Sequence, residues 1–156
     1  MSRARRFLSS VSVPWLIAAC ALILLAWGNS LVPGTGSSGM SLSVVDAARA
    51  FLSSFGLPGD WITNFFVRKT AHFTEYALIG FSMAQALDPE RSLSRSALAA
   101  TAVVLVLVPS IDETIQLFVD GRSGQVTDVL LDCCGAATGM AVRSAVAWVR
   151  RRQQRR

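Results

Sequence analysis

The sequence predicts an all-α membrane protein with four transmembrane helices and a short amphipathic helix between the first and second. Three observations carry that expectation. Of 156 residues, 52% are hydrophobic and only 16% charged, whereas a soluble domain holds about a quarter charged residues. The mean hydropathy is +0.46, and the apolar residues come in blocks instead of being spread over amphipathic elements. At about 20 residues per crossing, the chain has room for roughly four spans. A disordered chain, poor in hydrophobics and rich in charge, is excluded.

The elements follow in order. Residues 1–10 form a basic N-terminus with Arg3, Arg5 and Arg6. Val11 to Gly28 carries no charge and gives the first span, with Trp15 and Trp27 near its ends, where amphipathic rings favour the interface. Pro14 is tolerable in a first turn. Pro33 to Gly39 reads as a flexible Gly/Ser-rich loop. Leu42, Val45, Ala48, Leu52 and Phe55 then recur at helical spacing, giving the short amphipathic helix, which Gly56 and Pro58-Gly59 end.

The second span runs from Asn64 or Lys69 to Leu87 and carries Lys69, His72, Glu75 and Tyr76 in its first turns. Asp88-Pro89-Glu90-Arg91 makes a turn. The third span starts near Ser96 and is uncharged from Ala97 to Val108. Pro109 should kink it before it resumes with Asp112, Glu113 and Gln116. Asp120 to Gly124 is a tight polar turn. The fourth span runs from Val126 to Trp148 and contains Asp128 and Asp132. Residues 11–148 therefore form one four-helix domain, and 149–156 a basic tail.

Basic residues set the orientation. Arg3, Arg5, Arg6, Arg91, Arg95 and the tail arginines fall on one side, and Arg49, Arg68, Lys69 and Arg122 on the other. The positive-inside bias places both termini in the cytoplasm of a multi-pass protein of the inner (cytoplasmic) membrane. The basic runs abut apolar spans, so they speak for topology and anionic lipid head groups and against nucleic acid. The three cysteines offer no zinc or disulfide spacing and read as buried, inert thiols. Ile17-Ala18-Ala19-Cys20 resembles a lipoprotein cleavage box, but the apolar run continues past it.

Ionisable groups at membrane depth cost about 2.5–3.5 kcal/mol each on insertion scales, so they tend to be paired and functional. Here the orientation brings them to one level, in the outer leaflet: Lys69, His72, Glu75 and Tyr76, then Asp112, Glu113 and Gln116, then Arg122, Asp128 and Asp132. Gly135 and Gly139, on the stripe of Asp128 and Asp132, form a small-xxx-small face that turns those carboxylates toward another helix. Taken singly, each group has an ordinary structural reading. Lys69 and Arg122 can snorkel to head groups, Arg143 to the cytoplasm, and the aspartates can hold helices in register. Taken together on one level, they point to a site.

The motifs K-x-x-H-x-x-x-Y (Lys69, His72, Tyr76), D-E-x-x-Q (Asp112, Glu113, Gln116), G-R-S (Gly121, Arg122, Ser123) and D-x(6)-G (Asp128, Gly135) resemble those of the VanZ-like family of small bacterial membrane proteins. The resemblance spans residues from about 65 to 142. Two positions depart from it: Asp120, often proline in the family, and Asp132, often asparagine. The resemblance implies a cell-envelope role, and its founding member is associated with low-level teicoplanin resistance.

Three functions are compatible with these residues. A binding protein would take a membrane lipid head group or a lipid-linked cell-wall precursor. Its ligand-binding residues would be Lys69, His72, Tyr76, Glu113, Gln116, Arg122 and Asp128, with Lys69 and Arg122 on phosphate. An intramembrane enzyme would use His72, Glu75, Asp112 or Glu113 as acid and base, or hold a divalent cation on the carboxylates and the histidine. Ser123 is a conceivable nucleophile without an evident base. A proton-coupled transporter would need polar groups in both leaflets, and the inner half of the spans offers only Gln85 and Arg143. No cofactor is expected, and a homo-oligomer is compatible with the chain.

Overall fold

The structure, a computed structural model, describes residues 11–89 and 95–154. Arg3, Arg5, Arg6, Arg91, Arg155 and Arg156 lie outside the described residues. The described residues contain no strand. They form five helices: α1 (Val13–Ser30), α2 (Gly34–Ser54), α3 (Asn64–Leu87), α4 (Arg95–Gln116) and α5 (Val126–Gln154). The chain is thus all-α.

Three helices, α1, α4 and α5, are long and apolar enough to cross a membrane, and only 17%, 33% and 28% of those stretches is buried within the protein. Leu24, Leu25, Val103, Leu107, Leu130 and Val142 all face outward. A water-soluble bundle would turn such side chains inward, because each costs about 1.5–3 kcal/mol to expose. The inside is built from smaller groups, with Ala19, Ala26 and Ala136 packed against Ile23, Ile79 and Met83. This apolar exterior makes the chain an integral membrane protein. Helix α3 is long enough at 24 residues, but it carries Arg68, Lys69 and Glu75 in its first turns and is not among the three that are apolar enough.

Helix pairing is legible in the contacts. Lys69 meets Asp128, His72 meets Asp132, and Gln85 meets Arg143, so α3 and α5 run parallel. Glycine makes this seam close. A Cβ on Gly139 would stand 1.8 Å from the Ala77 carbonyl oxygen, one on Gly135 2.5 Å from that of Phe73, and one on Gly80 2.1 Å from that of Ala136. The expected small-residue face thus lies on α3, backbone against backbone. Helix α1 runs antiparallel to α3: the Ser12 N–H donates to the Ala86 carbonyl (2.8 Å) and Trp15 packs edge-on against Phe81. Helix α4 lies alongside α1 and antiparallel to α5, giving an up-down-up-down order for α1, α3, α4 and α5.

Local chemistry explains the ends and one interior feature. Thr63 caps α3 by accepting from the Phe66 N–H (3.1 Å). Pro109 sits inside α4 without ending it. Proline has no N–H, so the carbonyl of Leu105, four residues earlier, loses its helical donor. The Cys133 thiol of α5 donates to that carbonyl at 3.4 Å. The Trp27 indole N–H donates to the neighbouring Val108 carbonyl at 3.2 Å.

Three expectations are corrected. The Gly/Ser-rich stretch is no loop, because α2 already begins at Gly34. The Gly34 N–H donates to the Asp120 carbonyl (2.9 Å), and Gly34 lies directly on Gly121, whose positive φ of 71° makes the turn. Within α2, Ser41 and Ser43 satisfy their hydroxyls on carbonyls one turn back, which lets a serine-rich sequence stay helical. The cysteines are not all buried: Cys20 and Cys134 are exposed and Cys133 is partly so. Cys20 and Cys134 sit on the outward faces of spans, where a small apolar side chain suits lipid as well as a core, whereas Cys133 turns toward α4. Arg143 does not snorkel. It is 3% exposed, pairs with Asp88 (3.4 Å), and donates to Gln85 Oε1 (3.0 Å) and to the Asp88 carbonyl. The free carbonyls at the end of α3 and the Asp88 carboxylate together outcompete the head groups for the guanidinium.

Candidate functional site

The other end of the bundle gathers the polar side chains. It is made by the end of α1, the first turns of α3, the last turn of α4, the 117–125 loop and the first turns of α5. Lys69 of α3 forms an ion pair with Asp128 of α5 and lies over the Phe65 ring, 5.2 Å from its centroid. One turn deeper, His72 Nδ1 stands 3.6 Å from Asp132 Oδ2. Asp112, Glu113 and Asp132 are 1%, 4% and 0% exposed.

Glu113 is tied on two sides. Its Oε2 accepts from the Gln125 backbone N–H (2.8 Å), and its Oε1 from the Gln116 side-chain amide (3.3 Å). The same amide reaches Ser30 Oγ at 3.2 Å, joining α4 to α1. Tyr76 is fully buried and its hydroxyl has no hydrogen-bond partner. Glu75 turns toward α1, where Asn29 donates to its Oε1 at 3.5 Å.

Arg122 clamps the loop onto the end of α1. Its guanidinium donates to the carbonyls of Val32 (3.0 Å) and Asn29 (2.7 Å), at the negative end of that helix. Burial, and next the nearby Arg68 charge, pull the Arg122 pKa below the ordinary guanidinium value. The residue still carries its charge at neutral pH, since arginine does not deprotonate in proteins. Ser123, the conceivable nucleophile, accepts from the Gln125 amide at 3.3 Å, and no base is bonded to it among the described residues.

Two cavities open here. One, of about 270 Å³, is lined by polar groups that include Arg68, Lys69, His72, Gln116, Gln125 and Asp128. The other, of about 280 Å³, lies between α1, α2 and α3 and includes Asn29, Ser41, Glu75 and Arg122. Arg68 and His72 border both. Arg68 is half-buried, and its guanidinium makes no hydrogen bond or ion pair among the described residues.

The structure therefore brings Lys69, His72, Asp112, Glu113, Gln116 and Asp128 into one site, with Tyr76 in its wall. It sets Glu75 to one side and gives Arg122 a clamping position at the rim. Sequence reasoning passed over two residues. Arg68 was counted only as a topological charge, although it adjoins Lys69. Asp132 is placed on the level of the site and on the glycine stripe, but not among the ligand-binding residues.

The fold and site define an integral membrane bundle with a polar centre buried at one end. The chain belongs to the VanZ/LLP1 family, which it matches over residues 13–147. No curated protein and no solved structure matches it.

Proposed function

We propose that this is a four-span cell-envelope protein of the inner membrane whose polar centre faces outward and binds the anionic head group of a membrane lipid or lipid-linked wall precursor. The fourth span is α3. It runs parallel to α5 from Lys69 beside Asp128 to Gln85 beside Arg143, so it covers the same depth as a helix that is apolar enough to cross. Helix α2 then lies at the outer surface. Its exposed Phe51, packed edge-on at 5.1 Å against Phe55 at the helix cap, and the exposed Trp61 beyond form an aromatic anchor. Positive-inside bias puts the 1–10 and 149–156 segments in the cytoplasm.

The observation that carries the head-group reading is Arg68. It is a half-buried guanidinium with no partner among the described residues, at the junction of a polar and a mainly apolar cavity and near the second guanidinium of Arg122. Two close like charges favour an anion between them, and a phosphate accepts the paired N–H groups of arginine. Lys69, His72 and Gln116 line the same space.

Mass spectrometry of lipids co-purifying with the protein tests the reading. Arg68→Ala, Lys69→Ala and Arg122→Ala should each lose the bound anionic lipid, while Arg151→Ala in the tail should retain it. Equal retention in all four variants rejects it. The founding member's association with teicoplanin resistance extends to this chain if its deletion lowers the inhibitory concentration.

A further inference from the structure

Beneath the Lys69–Asp128 pair lies a second layer of chemistry, of which only His72 also lines the proposed head-group space. His72 of α3, Asp112 and Glu113 of α4 and Asp132 of α5 each present one ligand atom, and these atoms all lie within 4.8 Å of one another. Three carboxylates at this burial need a counter-charge. The cations around them are committed or unattached. Lys69 is held by Asp128, Arg122 by two backbone carbonyls, and Arg68 bonds to none of them. The one opposing contact, His72 to Asp132 at 3.6 Å, is longer than a hydrogen bond.

The carboxylate oxygens are also unsatisfied. Both oxygens of Asp112 and both of Asp132 are buried without a hydrogen-bond partner. A divalent cation answers both needs, because it offsets two charges and takes up the idle lone pairs.

We infer that His72, Asp112, Glu113 and Asp132 bind one divalent transition-metal cation, Zn²⁺ or Mn²⁺. The donor set is one imidazole nitrogen with three carboxylate oxygens, which suits first-row ions better than the all-oxygen shells of Mg²⁺ and Ca²⁺. Three helices supply the ligands, so the site exists only in the folded bundle. The Gln125 N–H and the Gln116 amide orient Glu113, as outer hydrogen bonds orient ligands in metal sites generally. His72 and Gln116 border the polar cavity of about 270 Å³ at this end, which gives the ion a route in. The inference does not depend on the head-group reading, which is scored separately on Arg68→Ala.

The test uses the full chain in detergent with any affinity tag removed, stripped with chelator and dialysed against Zn²⁺, Mn²⁺ or Mg²⁺. Wild type and the exposed control Asp46→Asn should retain one equivalent of Zn²⁺ or Mn²⁺ by elemental analysis after gel filtration, and their Tm should rise on loading. Asp112→Asn and Asp132→Asn should each weaken binding at least about tenfold and lose the metal-dependent rise in Tm. Metal-free, both should melt no lower than wild type, because a neutral amide replaces an unpartnered carboxylate. If either variant misfolds, the Mn²⁺ electron paramagnetic signal of wild type, with nitrogen coupling that His72→Gln removes, carries the test. Sub-stoichiometric metal in wild type, or undiminished binding in the folded asparagine variants, overturns the inference.

Discussion

At the scale of single residues, the two ends of the bundle treat buried charge differently. Arg143 is matched: Asp88, a backbone carbonyl and Gln85 surround it. Removing one partner strands the other in a low-dielectric setting, so Arg143→Ala should destabilise the protein by about 3–5 kcal/mol. Arg143→Lys should recover part of that loss in denaturant titrations. Cys133 illustrates a smaller effect. It supplies the donor that Pro109 withholds from Leu105, so Cys133→Ser should be tolerated, while Cys133→Val should cost about 1 kcal/mol by the same titration. Neither partnership was legible in the sequence. A long basic side chain near a helix end reads as reaching outward, and nothing local to Arg143 announces that Asp88, 55 positions earlier, waits beside it. Pro109 announces an orphan carbonyl four residues back, but the residue that satisfies it comes from another helix.

At the scale of elements, the α3–α5 seam is the strictest contact. Since a Cβ on Gly139 would stand 1.8 Å from a backbone oxygen, no side-chain adjustment can relieve it, and the helices must part. Gly139→Ala should therefore lower stability by about 1–3 kcal/mol. Gly28→Ala, where a Cβ meets nothing within 4 Å, should leave stability unchanged or raise it by up to about 1 kcal/mol. Thermal unfolding of the two variants in one detergent checks the contrast. This seam was readable in advance, because Asp128, Asp132, Gly135 and Gly139 share one stripe at helical spacing. The start of α2 was not. Glycine and serine signal a loop by propensity, and the contacts that override propensity come from Asp120 and Gly121, far along the chain.

At the scale of the whole molecule, the proposed topology makes a sharp demand. In a background lacking Cys20, Cys133 and Cys134, Ser123→Cys should react with a membrane-impermeant maleimide added outside intact cells, and Gln153→Cys should not. The reverse pattern would turn the molecule over. The gathering of polar groups at one end was legible because charge patterning and helix order act over the full length of each span. Which of those groups meet, and which stand idle, depends on rotations of tens of degrees that composition does not encode.

The glycine seam also sets how a lipid could dock. From Gly80 and Gly135 to Gly139, α3 and α5 touch main chain to main chain, which leaves no crevice that would admit a hydrocarbon tail. An amphiphile seated in the polar chamber cannot then pass its tails between these two helices; they would leave by the flank of the protein, past the mainly apolar cavity between α1, α2 and α3. Release would require no parting of these two helices.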